Sequence, residues 1–396
     1  MQKDSLSLQT KVDIMSKERF CEFQGITEEN FNEDFFKSVM ELDYKDWRIS
    51  YRKAEYIYEN RINDKGKSYI EIAKEFIDES IQLLSINKDT ELDSVIDNPF
   101  VLLGLKTGKE NNVYQLAGQI YAQLAIKDNA YKDIALKYYQ KYQVFQQKYE
   151  PHKFVDNLSE ISVYSFRPVS EYTLADLANE TITVSRPSRM NDPFDSLANL
   201  WRKTENLKNI TKEKGHEESF AKSMDFFRIR SFSLIKDTED SVLGNIRMWS
   251  AYANNHQGFC IRYKLNVGFI NHIDTDNLIV RRLAPIKYVY DCPMPKSLTA
   301  IDSYEAYNKK HECWAYENEI RLLSYNTSTD SDFFSEPMGD DAEIEEVVFG
   351  ILCPKEHMKT ICNILRDKKV DFYKMTTDPK NDIYTLKKKK YSSEGK

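Results

Sequence analysis

The hydrophobic period of this chain changes once, at Tyr149-Glu150-Pro151-His152, and that change limits what the chain can fold into. From about residue 28 to 150, apolar residues return every three or four positions. Val113, Leu116, Ala117, Ile120, Tyr121 and Leu124 form one helical stripe. Lys127 to Asn129 interrupts it, with Asp128 or Asn129 placed to cap the next helix. Tyr131, Ile134, Ala135, Tyr138, Tyr142 and Phe145 form a second stripe. Two stripes joined by a short polar turn predict an antiparallel helical hairpin. Arg52 to Asn60, followed by Tyr69, Ile72, Ala73, Phe76, Ile77 and Leu84, predicts another. Pro151 ends the helical periodicity. Beyond it, short runs predict strands at Val163–Arg167, Thr181–Ser185, Phe227–Leu234, Gly258–Tyr263, Ile286–Tyr290, Ile320–Ser324, Glu346–Gly350 and Asp371–Lys374. Helices are expected at Thr173–Ala178, Ile246–Ala253, Ser303–His311 and Lys355–Arg366. The fold class is therefore α+β, with an all-helical domain over residues 1–150 and a mixed α+β domain over residues 160–390.

A length of 396 residues accommodates two such domains. The net charge is -7, and residues 1–150 carry 21 basic against 26 acidic residues. A chain whose main task is gripping phosphate backbones usually has the opposite sign, so nucleic acid is expected only as a modified substrate. Lys387 to Lys390 reads as a solvated basic end. Apolar runs such as Val347 to Cys353 fall far short of the roughly 18 residues of a membrane span. The first residues, M-Q-K-D-S-L-S-L-Q-T-K, lack the apolar core of a signal peptide. A cytoplasmic protein with no membrane partner is the expectation. Glycine is scarce, at 12 residues, and no G-x-G-x-x-G or G-x-x-x-x-G-K-[ST] occurs. Thr107-Gly108-Lys109 lacks both flanks of the latter. A dinucleotide fold or P-loop, whose glycines let backbone amides wrap phosphate, is not expected. Of the six cysteines (Cys21, Cys260, Cys292, Cys313, Cys353 and Cys362), no two form C-x-x-C. Cys353, His357 and Cys362 have the most metal-like spacing but no evident fourth ligand, so no metal is expected.

Four segments of the second domain differ from ordinary core or loop. The first is Tyr164 to Arg167 on a strand. The second is Ser185 to Asp195, S-R-P-S-R-M-N-D-P-F-D, where Pro193 forces Asp192 toward an extended backbone and Asn191 and Asp192 can cap it in an Asx turn. Such a loop with Phe194 buried needs no chemistry. The third runs from Met248 to Cys260. Trp249 and Tyr252 share a helical face and can form a stacking wall for a flat ring, although such residues are more often core. His256 and Gly258 follow in the turn, His256 as a polar contact. The fourth is W-A-Y-E-N-E-I-R, Trp314 to Arg321. If a strand begins here, period two puts Glu317, Glu319 and Arg321 on one face, with Trp314 and Tyr316 packed beneath the other. Paired carboxylates push one pKa upward and suit a general base or a partner for a cation. The plainer reading is an ion pair of Glu319 with Arg321 or another arginine that holds the fold.

These segments, in this order, resemble one bacterial family, the domain of unknown function 2971. Its members resemble Y-x-Y/F-R, then N-D-P-F-D, then W-S-x-Y-A-x-x-H-x-G, then W-x-x-E-x-E-x-R. The match spans roughly residues 160–350 and leaves out the helical domain. The layout is similar, more distantly, to ADP-ribosyltransferase-like folds, which carry an early-strand Arg or His, a hydroxyl or aromatic residue on a middle strand, and [E/Q]-x-E before a late strand. Arg167, Ser185 and Glu317-Asn318-Glu319 would fill those places. The resemblance implies NAD as co-substrate. Arg167 would grip its pyrophosphate, Glu317 and Glu319 would serve the ribosyl cation, and Tyr164, Ser185, Asn191, Asp192, Asp195, Trp249, Tyr252 and His256 would line the site. Related proteins also resemble abortive phage-resistance components, which implies a defence role.

Three functional classes stay open. One is an NAD-using transferase. A second is a metal-dependent nuclease or phosphodiesterase in which Asp192, Asp195, Glu317 and Glu319 hold Mg²⁺. The third is a non-catalytic binding or regulatory protein. Small residues beside aromatics in the helical hairpins resemble tetratricopeptide-type repeats, although the period is not kept and the consensus Trp and Pro are missing. Such hairpins often dock a partner protein.

Overall fold

The computed structural model describes residues 28–86, 92, 95–149, 158–190, 192, 194, 195, 214–234, 242–291, 303–378 and 382–392. The chain is mixed α+β, a helical N-terminal region followed by a sheet-rich part, and it divides into two compact units. The first comprises residues 1–145 and 213–223, the second residues 146–212 and 224–396. The change of period at Pro151 lies outside the described residues. Among the described residues, no helix is long and apolar enough to cross a membrane.

In the first unit, helices α1 to α6 span Glu28–Glu41, Trp47–Asn60, Tyr69–Ser85, Pro99–Lys106, Glu110–Ala125 and Lys132–Gln146. Most of the apolar stripes are buried or half-buried, although Ile134 is exposed and Tyr139, outside the expected stripe, is buried. Tyr51, Ala54 and Ile57 of α2, Ile70, Ala73 and Ile77 of α3, and Val113, Leu116, Ala117 and Ile120 of α5 share one core. Caps fix the helix starts. Asp46 accepts from Arg48 N ahead of α2, and Ser68 with Glu71 forms a capping box on α3. Asp128 accepts from Ala130 N at the turn before α6. A later helix, Lys214–Met224, contributes to this unit: Phe220 is edge-on to Tyr139, and Gln143 Nε2 donates to Ser223 Oγ at 3.0 Å.

Among its described residues the second unit holds thirteen strands: β1 Glu160–Arg167, β2 Thr181–Ser185, β3 Phe227–Leu234, β4 Phe259–Asn266, β5 Asn271–Asp274, β6 Ile279–Pro285, β7 Lys287–Val289, β8 Lys309–His311, β9 Glu319–Asn326, β10 Phe333–Pro337, β11 Ala342–Phe349, β12 Asp371–Asp378 and β13 Asp382–Lys390. Eleven form one sheet in the order β13-β12-β11-β4-β1-β3-β9-β6-β5, with β2 branching from β3 and β10 pairing with β2, while β7 and β8 form a small parallel pair. Strands β5, β6, β8, β10 and β13 are additional to those expected from the sequence. The basic end is solvated, with Lys387, Lys389 and Lys390 exposed, but it is a strand and not a loose tail. Lys387 to Lys390 belongs to β13, where Lys388 pairs with Glu346 at 2.7 Å and Lys390 with Asp371 at 2.8 Å.

Strand β3 shapes the functional region. One edge pairs with β9 from Phe227 to Ser233. The other edge meets β2 only at Ile229, and β1 only at Ser233 and Leu234. Between these contacts, residues 230–232 have no strand partner on that edge among the described residues. The helix Glu171–Asn179 joins β1 to β2, so the two strands splay apart and the sheet opens between them.

Side-chain alternation sends β1 to two cores. Val163 joins Phe232, Ile320 and Leu322 on one face, whereas Tyr164 and Phe166 join Trp249 on the other. Cys353 and Cys362 lie in the first core, where burial pushes both thiols up, Cys353 to about 11, and His357 is exposed.

Candidate functional site

The opening in the sheet is a cleft of about 640 Å³. Its walls include Tyr164 to Arg167 of β1, Ser185 of β2, Ile229 to Ser233 of β3, Tyr252, and Lys310, Trp314, Glu317 and Glu319. Residues far apart in the sequence thus converge on one cavity of the size that takes a small ligand.

The acidic end is built from a turn and a strand, not from one strand. Glu317 closes a 3₁₀ helix, Glu312–Glu317; Asn318 is left-handed at φ 45°; and β9 begins at Glu319. Asn318 is fixed from both sides, since its Nδ2 donates to Leu234 O at 2.8 Å and its carbonyl accepts from Leu234 N at 2.9 Å. The left-handed residue aims both carboxylates at Lys310, whose ammonium lies 2.5 Å from Glu317 Oε2 and 2.9 Å from Glu319 Oε2. Glu319 also accepts from Arg321 Nε at 2.6 Å, and Arg321 Nη2 reaches Asp195 Oδ2 at 2.6 Å. All of these side chains are buried.

The two glutamates are not equivalent. Burial alone would raise Glu319, but Arg321 and Lys310 more than reverse this and hold it at about 2. For Glu317 burial wins, helped by Glu319, and its carboxyl is raised although Lys310 opposes. Glu317 also accepts from Tyr252 Oη, whose own pKa burial and that carboxylate push up. Carboxyls whose environments drive their pKa values apart divide into a fixed charge and a group able to exchange a proton. Glu319 has the environment of the former and Glu317 that of the latter.

The other end of the cleft is basic. Arg167 Nη2 lies 3.4 Å from Asp176 Oδ2. Burial lowers the Arg167 guanidinium from its ordinary value, while Tyr263 and Asp176 oppose that. Asp176 also accepts from Thr183 Oγ1 at 2.5 Å, which ties β2 to the helix after β1. The end of β1 is held by close packing. A Cβ on Gly258 would lie 2.2 Å from Arg167 O, and one on Gly350 would lie 2.1 Å from His256 O. Gly258→Ala is therefore expected to displace the end of β1 and lower the melting temperature by about 2–10 °C; an unchanged midpoint in a thermal melt would show that the approach relaxes freely.

Several candidates lie elsewhere. Trp249 is 0% exposed, with its indole N–H on Leu243 O at 2.7 Å and Phe166 edge-on against it. It is core and not a cleft wall, because the helix Ile246–Tyr252 turns that residue inward and ends at Tyr252, which does line the cleft. His256 stacks on Trp249 behind the cleft, in a left-handed turn with Asn254 and Asn255. Trp314 is not packed beneath a strand; it lines the cleft with Lys310 above its ring at 5.1 Å. Asp192 and Asp195 do line the cleft, and Asp192 makes the expected turn by accepting from Phe194 N at 2.9 Å, but Phe194 is 71% exposed, not buried. Asn191 lies outside the described residues. Asp195, Glu317 and Glu319 already engage Lys310 and Arg321, and among the described residues no group of three or more His, Cys, Asp or Glu is arranged to hold a metal ion.

Residues 248–322 match the model of a family described as protein of unknown function (DUF2971). The matched segment holds the Trp249-to-Gly258 and Trp314-to-Arg321 motifs, and so the acidic half of the cleft. No curated protein and no solved structure matches the chain.

Two features were not read from the sequence. Lys310, which organises the acids, stood in a stretch expected to be helical. Arg230 stands on the floor of the cleft, and the alternating R-I-R-S-F-S of β3 was the signal that could have found it.

Proposed function

We propose that the cleft binds NAD and that the chain is an ADP-ribosyltransferase-like enzyme. The observation carrying this reading is that Arg167, Ser185, Glu317 and Glu319 all line the opening where β1 and β2 diverge over β3. Cations at one end suit a pyrophosphate, and carboxylates at the other suit a developing ribosyl cation. In the step proposed, the bond between ribose and nicotinamide breaks and nicotinamide leaves with the bonding pair. The fixed charge of Glu319 stabilises the ribosyl cation. An acceptor nucleophile forms the new bond, and its proton passes to Glu317. Tyr252 and Trp314 supply ring surface beside this end. No glycine-rich loop is needed for such a site.

A role in phage defence, and protein docking through tetratricopeptide-like hairpins of the first unit, rest on resemblance and belong to the same proposal. The test is calorimetry with NAD, followed by NAD consumption and ADP-ribose transfer to protein, RNA or DNA in lysates, phage-infected lysate included. Binding and turnover are the expected results. No binding at millimolar NAD would remove the transferase reading and leave the nuclease and the binding protein.

A further inference from the structure

The cations of the cleft differ in what already neutralises them. Arg167 faces Asp176, Arg189 pairs with Asp332, and Lys310 sits among Asp195, Glu317 and Glu319. Arg230 is the exception. Its Nη2 donates to Ser165 Oγ at 2.6 Å, its guanidinium carbon lies 5.7 Å from the centre of the Phe232 ring, and its Nε is buried without a hydrogen-bond partner. Among the described residues it has no carboxylate within ion-pair reach. It stands in the part of β3 that neither β1 nor β2 pairs. A guanidinium stays protonated in proteins, so this is a permanent positive charge, half-buried and without a counter-charge among the described residues.

We infer that Arg230 forms the anion subsite of the cleft and holds a phosphate group of a nucleoside diphosphate. A partly desolvated charge without a partner favours an anion. The planar fork of arginine matches phosphate oxygens with two parallel bonds, and one of its donors is already oriented by Ser165. Ser185, across the opening on β2, adds a hydroxyl to the same cavity. The inference extends the nucleotide reading of the cleft, but it assigns the anion to a residue that lies outside the four motifs.

The probes are ADP, inorganic pyrophosphate and adenosine, titrated calorimetrically into the full chain. Wild type is expected to bind ADP and pyrophosphate. Losing one charge-assisted contact should weaken ADP about ten- to a hundredfold in Arg230→Gln and leave adenosine unchanged. Arg230→Lys, which keeps the charge, should recover part of the loss. A second measurement needs no variant: ADP should protect Arg230 of wild type from phenylglyoxal, read by peptide mass spectrometry. The inference is overturned if wild type binds neither ADP nor pyrophosphate. It is equally overturned if folded Arg230→Gln binds ADP as wild type does, if ADP and adenosine weaken equally, or if ADP gives Arg230 no protection. ADP binding through Arg230 without NAD turnover would sink the transferase reading alone.

Discussion

Arg321→Met is expected to destabilise the sheet-rich unit by about 3–5 kcal/mol, the usual cost of breaking a buried ion pair from one side. Arg321 is 0% exposed and donates to Glu319, to Asp195 and to Tyr307 O. Methionine fills much of the volume but leaves two buried carboxylates short of their cation. Glu319→Gln should act in the same direction, because it strands Arg321 and Lys310. The check is hydrogen exchange read on peptides of β3 and β9, which pair along seven positions. A loss below about 1 kcal/mol would mean that water or Lys310 compensates and that the cluster does not hold the sheet. The same ion pairs set an acid limit. Glu319 has its folded pKa held at about 2, below the roughly 4.3 of an unfolded glutamate. Its contribution is full above the unfolded value and is lost as pH falls toward the folded one. Arg321→Met should therefore flatten the acid dependence of stability between about pH 4 and pH 2.

The sequence shows period and local chemistry, and its limits follow from that. Strands β1, β2 and β3 were legible as short strand-favouring runs, although only β2 buries every second side chain. Strand β13 was not legible. Four successive lysines look like a tail until Glu346 and Asp371 are brought beside them, and lysines on an edge strand also discourage unwanted pairing. Glu317 and Glu319 do come together, at Lys310, but for another reason than strand alternation. A left-handed asparagine, bonded to β3, does the aiming. Sequence spacing could not show that Asp195, more than a hundred residues earlier, would share Arg321 with Glu319. Trp249 and Tyr252 do share a short helix, yet one lies in the core and the other faces the cleft, a division that spacing alone leaves open.

Glu317→Gln is expected to leave the fold intact and to lower NAD turnover by about 10²–10³, the size of loss typical when one preorganised polar group is removed. The contrast with Glu319 follows from their partners. Glu317 sits at the end of a 3₁₀ helix and bonds Tyr252 and Lys310, whereas Glu319 is locked between Arg321 and Lys310. Glutamine at position 317 can still accept from Tyr252 and from Lys310, whose charge Glu319 and Asp195 continue to balance. What it cannot do is take up a proton. If Glu317 receives the proton of the acceptor, kcat falls while NAD affinity, measured calorimetrically, stays within about threefold. The acidic limb of the pH–rate profile, which reports its titration, should vanish in the variant. That limb should lie above the ordinary glutamate range, because burial raises this carboxyl. Turnover unchanged in Glu317→Gln would take the proton away from this residue. Lost NAD binding with an intact fold would instead make Glu317 a ligand contact, and the acid limb would then belong to another group.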